Sequence, residues 1–198
     1  DIAITHDGRF ALVSDGDSST LIASIDIVAR TLVYTLDMGT MVPMHEAQAV
    51  AVAPDGTVVY VDFWAGEVGS ALIDASGHLS HTGVYSYMIG DYLPWPVNVG
   101  IAPDGQTVIV CDAYTSTVGI YQITAPGVLS HTGIVTGLLS EVPPDMEPAA
   151  VSVAFSTAGD KAYVVLNGRF DEITSLPDQL AVLDITGPGR VSLNAASA

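Results

Sequence analysis

The chain has almost no basic residues. Five Lys and Arg stand against 22 Asp and Glu, a formal net charge of −17 over 198 residues. That field repels phosphate backbones and anionic lipid, so nucleic acid and membrane surfaces are poor partners, and cations and basic proteins are better ones. There is one cysteine, Cys111, so no internal disulfide can form and cysteine usage leaves the compartment open. It stands in the apolar run Val108-Ile109-Val110-Cys111 without an electropositive neighbour, which predicts a buried, inert thiol. No apolar run approaches the roughly 18 residues a membrane helix requires, so no membrane insertion is expected. No charged-then-apolar leader is visible, which predicts no signal peptide in these residues. Asp1-Ile2-Ala3-Ile4 already reads as a strand, as though a preceding portion had been removed. Helical periodicity of useful length is also missing.

What remains is a repeat. Ala-Pro-Asp-Gly stands at 53–56 and again at 102–105; Thr5-His6-Asp7-Gly8 is a relative and Ser156-Thr157-Ala158-Gly159 a degenerate copy. The turn glycines Gly8, Gly56, Gly105 and Gly159 are spaced by 48, 49 and 54 residues, a period that marks propellers and solenoids. Each copy holds four short strands. Strand a is small and apolar, as in Val50-Ala51-Val52. The Asp-Gly turn closes a hairpin onto strand b, rich in β-branched and aromatic residues, as in Val58-Val59-Tyr60-Val61. An Asx-bearing loop leads to strand c, where Asp26, Asp74 and Asp184 occupy what read as matching points. Strand d is the most polar, and two copies share Leu-Ser-His-Thr-Gly at 79–83 and 129–133. Short strands between turn signals are the all-β pattern. A lone four-stranded sheet cannot cover both of its faces, whereas stacking such sheets around an axis can. The expected fold is therefore an all-β propeller of four-stranded antiparallel blades, at about 1–47, 48–96, 97–148 and 149–198. Each copy runs a-b-c-d without splitting a blade between the termini, which favours a piece of a larger propeller over a closed four-bladed ring. Self-association is one way to complete it.

Strand, Pro-Asp-Gly, strand, Asx loop, then a strand ending as Leu183-Asp184-Ile185 resembles the YVTN-type β-propeller repeat of surface-layer and lactonase-like proteins. The resemblance covers Ile2 to about Leu193. Copy four departs from it by lacking Pro-Asp-Gly and by inserting residues around 171–178, and three copies carry Asp where the family has Asn after strand b. The resemblance specifies the fold better than the function, since such propellers serve as enzymes, adhesins and scaffolds alike. Repeat type, acidity and the lack of a catalytic constellation predict an extracytoplasmic protein, whether secreted, periplasmic or at the cell surface, acting as a non-catalytic binding or scaffolding module. The alternatives are a lactonase-like hydrolase using the axial funnel and a propeller subunit of a redox enzyme, although no haem motif is present.

In such a blade the b–c and d–a loops share one end. They would gather His45, Glu46, Trp64, Trp95, Tyr114 and Arg169 as candidate ligand-binding residues, with Asp15, Asp62, Asp91, Asp112 and Glu147 nearby. Aromatics beside carboxylates suit a cation, a sugar or a protein ligand; the opposing expectation is that both tryptophans pack between blades. Asp15-Gly16-Asp17-Ser18 has the alternating oxygens of a calcium loop, so Asp15 and Asp17 are the candidates for a divalent cation such as calcium. The distal ligands of an EF-hand are missing, and a simple turn is the better reading. No cofactor motif is identifiable. No catalytic constellation stands out: Ser80-His81 and Ser130-His131 are strand neighbours whose side chains face opposite ways.

Overall fold

In the computed structural model, residues 1–15, 21–37, 47–86, 94–113, 117–138, 149–167 and 178–194 are described. They form sixteen strands in four antiparallel four-stranded sheets. The first sheet holds β1 (Ile2–Ile4), β2 (Phe10–Ser14), β3 (Leu21–Asp26) and β4 (Thr31–Asp37). The second holds β5 (Ala47–Val52), β6 (Thr57–Asp62), β7 (Glu67–Ile73) and β8 (Leu79–Ser86). The third holds β9 (Pro96–Ile101), β10 (Thr107–Asp112), β11 (Val118–Ala125) and β12 (Val128–Val135), and the fourth β13 (Ala149–Phe155), β14 (Lys161–Asn167), β15 (Gln179–Gly187) and β16 (Arg190–Leu193). Strand order within every sheet follows the sequence, as expected for four propeller blades.

The repeated turn forms in all four copies. The N–H groups of Gly8, Gly56, Gly105 and Gly159 each donate to the carbonyl three residues back, at 2.8–3.0 Å. The reason for Asp before glycine is visible. Asp7, Asp55 and Asp104 accept from the N–H groups of Arg9, Thr57 and Gln106 at 3.0, 2.9 and 2.8 Å, which satisfies the turn's donors. Copy four keeps the turn without Asp; its Ser156 hydroxyl accepts from the Lys161 N–H, as the Thr5 hydroxyl accepts from the Phe10 N–H in copy one.

Three apolar cores lie between successive blades. Leu12, Ile22 and Leu36 of the first meet Val50, Val58, Tyr60, Ala71 and Leu79 of the second. Val59, Val61 and Val68 of the second meet Val99, Val108, Val110, Tyr121 and Leu129 of the third. Ile109, Val118 and Ile120 of the third meet Ala162, Val164, Leu166, Ala181 and Leu183 of the fourth. Central strands β6 and β10 are buried along their whole length, because both of their faces serve a core. The outer faces of the end blades differ. Ile2 and Ile4 of the first blade and Leu180 of the fourth are 61%, 50% and 56% exposed. β1 pairs with β2 and β16 with β15, and neither strand joins the other blade.

The blades are also joined by a recurring polar contact that lies in register. Thr57 and Thr107 both begin strand b. The Gly127 N–H donates to the Thr57 hydroxyl at 2.8 Å, and the Gly189 N–H to the Thr107 hydroxyl at 2.9 Å. In each case the glycine sits in the c–d turn of the next blade with positive φ. Ser70 and Thr132 donate to the carbonyls of the same two glycines, both at 2.9 Å. A Cβ at Gly127 would stand 2.8 Å from Thr82, so the close approach requires glycine. At the matching place in the first blade Phe10 packs on Gly77, whose Cβ would fall 2.5 Å from the ring. In the fourth blade that place is taken by Lys161, ion-paired with Asp184.

Register corrects one expectation. Asp26 pairs with Phe10, Leu72 with Thr57 and Asp184 with Lys161, so Asp26 and Asp184 match, but Leu72 is their counterpart in the second blade. Asp74 lies two residues further on, in the turn. There its carboxylate accepts from the Ser76 hydroxyl and from the N–H groups of Ser76 and His78. An aspartate near the end of strand c therefore serves two different structures, which spacing alone did not separate.

Two outcomes are expected. Thr107→Val leaves a buried Gly189 N–H without its acceptor and should cost about 1–3 kcal/mol in urea unfolding, with Thr107→Ser recovering part of it. Hydrogen bonds from Ser76, then from His78, hold the Asp74 carboxyl below its ordinary value. A depressed carboxylate adds stability above its ordinary range and loses it as pH falls through the folded value. Asp74→Asn should therefore lower Tm by a constant amount at neutral pH, with the gap closing below about pH 4.

Candidate functional site

The b–c and d–a connections leave and enter their strands at the end of the blades opposite the Asp-Gly turns. The best-defined constellation there joins the second and third blades. Trp64 follows β6, and Trp95 immediately precedes β9. Phe63 holds them together: its ring centre is 5.0 Å from Trp64, nearly perpendicular, and 5.3 Å from Trp95, tilted by 53°. Phe63 is half-buried, whereas Trp64 and Trp95 remain 55% and 43% exposed. The expectation that both tryptophans are consumed by packing between blades is thus not met.

Their backbone is well anchored. Asp62, buried at the end of β6, accepts from the Ala65 N–H at 3.0 Å and closes the loop that carries Phe63 and Trp64. The Ala113 N–H donates to the Trp95 carbonyl at 2.8 Å, tying the b–c loop of the third blade to the segment entering β9. Pro94 and Pro96 flank Trp95 and restrict its backbone to extended conformations.

The carboxylates at this end are less available than their sequence positions suggested. Asp62 and Asp112 are both buried, Asp112 completely. They sit at the last pairing positions of β6 and β10, where burial screens a carboxylate from a ligand. Burial, together with Asp62 and Glu67, pushes the Tyr60 phenol well above its ordinary range. Glu67, opposite Asp62 in the ladder, is half-buried.

The other candidates divide as follows. Asp15 is described and exposed. His45, Glu46, Asp91, Tyr114, Glu147, Arg169 and Asp17 lie outside the described residues. Among the described residues, no three His, Cys, Asp or Glu side chains gather as a metal site would require. His81 and His131 lie on the outer strands β8 and β12, exposed like Ser80 and Ser130 beside them, and the His131 ring lies against Tyr121 at 5.0 Å, tilted by 57°. Cys111 is fully buried in β10; burial, and then the Asp112 charge, push its thiol up to about 12. No described helix is long and apolar enough to cross a membrane. The aromatic triad was only half legible in the sequence. Both tryptophans stood out by position, but Phe63 as their pivot depends on two loops meeting.

No protein-family model and no curated protein matches the chain. The repeat-family expectation thus has no family match behind it. Among solved structures the fold is similar to a protein from Lactobacillus plantarum, at 19% identity and TM-score 0.73, over 98% of this chain and 55% of that one. It is similar to the periplasmic gluconolactonase PpgL of Pseudomonas aeruginosa, at 14% identity and TM-score 0.70, over 97% and 55%. A third is hydrazine synthase of Kuenenia stuttgartiensis, at 18% and 0.69, over 96% and 46%. The chain spans about half the length of each. At these identities the likeness concerns the fold, which supports the propeller architecture.

Native Cys111 is expected to resist an aromatic disulfide reagent at pH 8 and to react stoichiometrically once urea unfolds the chain. Rapid labelling of the folded protein would contradict the buried position.

Proposed function

We propose that the chain forms part of a lactonase-like propeller hydrolase that opens a sugar lactone at the b–c and d–a loop end. One observation carries this reading: nearly the whole chain superposes on a periplasmic gluconolactonase at TM-score 0.70. Ring opening of a lactone needs a base to activate water at the carbonyl carbon and a cationic or N–H donor for the oxyanion. His45 and Glu46 are the candidates for the base, and Arg169 for oxyanion stabilisation. In the sequence His45 and Glu46 fall in a d–a connection and Arg169 in a b–c connection. The same neighbour supports an extracytoplasmic location. Exposed Ile2, Ile4, Val165 and Leu180 support a larger ring, completed by further blades over the end faces.

A second reading is a non-catalytic binding module. It is favoured by the exposed tryptophans, which need no catalytic partner to hold a ligand.

Hydrolysis of glucono-δ-lactone, followed in a pH-stat against the buffer background, separates the two. The hydrolase reading expects catalysis by the chain, with His45→Ala and Arg169→Ala each lowering kcat/KM by about 10²–10⁴. A rate equal to background for wild type and variants alike would sink it and leave the binding module.

A further inference from the structure

We propose that Phe63, Trp64 and Trp95 form a stacking platform for an uncharged sugar ring. The proposal goes beyond lactone hydrolysis and holds whether or not the chain is an enzyme.

The geometry comes first. Large aromatic side chains left open to water are costly unless something covers them, and Trp is enriched where ligands and partners bind. Here two of them are exposed together, from loops on adjoining blades, and both pack on one half-buried ring. Their anchors are rigid: a buried aspartate closes one loop, and two prolines and a hydrogen bond from the Ala113 N–H within the third blade hold the other segment. Such a surface is preorganised, so little ordering entropy opposes binding. Phe63 meets Trp64 edge to face and Trp95 at a tilt of 53°, and both indoles stay exposed. An open surface of this kind fits the flat, C–H-bearing face of a pyranose better than a cation, which a cage of convergent ring faces holds best.

Charge then narrows the ligand. The five basic residues are Arg9, Arg30, Lys161, Arg169 and Arg190, so residues 31–160 contain no Lys or Arg at all. The second and third blades, which build the platform, therefore supply no fixed cation to balance a phosphate or carboxylate. Glu67, opposite Asp62 in the ladder, is a hydroxyl acceptor and repels anions. A neutral sugar meets no such repulsion, whereas a phosphorylated sugar would bring its charge into an acidic field unpaired.

The test uses a property of the chain itself. It has two tryptophans, and both are in the platform, so its whole tryptophan emission reports on this site. The full chain is titrated with methyl glucoside, methyl galactoside and methyl mannoside, then with glucose 6-phosphate and tetramethylammonium chloride. At least one neutral glycoside is expected to give a saturable change in emission, with glucose 6-phosphate binding about tenfold more weakly or not at all. Trp64→Ala and Trp95→Ala, each read by the remaining tryptophan, should weaken glycoside binding at least about tenfold. Trp64→Phe should keep it within about threefold, because the stacking face survives. Both tryptophans are exposed, and far-UV circular dichroism checks that the variants fold. No saturable change with any neutral glycoside, equal binding of glucose 6-phosphate, or a response to tetramethylammonium alone would each overturn the proposal. Hydrolytic activity does not enter the readout, so its absence leaves this result standing.

Discussion

The structure depends on one constraint: a four-stranded sheet built from short apolar strands has two faces to bury and, among the described residues, no helix to cover them. Each blade therefore covers its neighbour. Strands β6 and β10, buried from end to end, show the consequence. Their residues alternate between two different cores, Val58 and Tyr60 serving one side and Val59 and Val61 the other. Packing of this kind is non-directional, and by itself would let blades slide. The Thr–Gly contacts supply direction, because an N–H must meet a hydroxyl at one place in each interface. The contact recurs between the second, third and fourth blades, and changes to an aromatic-on-glycine contact between the first and second.

That division of labour leaves the loop ends free. Strand order puts the tight Asp-Gly turns at one end, where backbone donors are satisfied within the hairpin. The described parts of the b–c loop of the second blade and of the segment entering the third meet at the other end. Phe63, Trp64 and Trp95 are assembled in this way, from segments some thirty residues apart. The buried carboxylates Asp62 and Asp112 belong to the scaffold beneath them. The same framework is compatible with quite different chemistries, as the gluconolactonase and hydrazine synthase neighbours illustrate.

Much of the fold was legible in the sequence, for a local reason. Asp before Gly encodes its own turn through the carboxylate and positive φ, and alternation within strands encodes which residues face a core. Reading failed where a residue type serves two local structures. Asp74 resembles Asp26 and Asp184 by its place before a turn, yet ladder pairing sets it two positions away. Asp62 and Asp112 looked like ligand-facing carboxylates, because burial is decided by neighbouring loops and not by the residue. Thr57 and Thr107 drew no notice, since a strand threonine is unremarkable until a glycine some seventy or eighty residues later donates to it.

The sequence by itself determined the all-β class, the four repeats, the hairpin turns, a buried thiol and a strong negative charge. Each follows from composition or from interactions within a few residues. Only the tertiary structure decided which aspartates are buried, which threonines join blades, and that two tryptophans from different loops share one pivot while staying open to water. Those outcomes depend on contacts between repeats, and a repeat carries in its own sequence no record of what its neighbour will place against it.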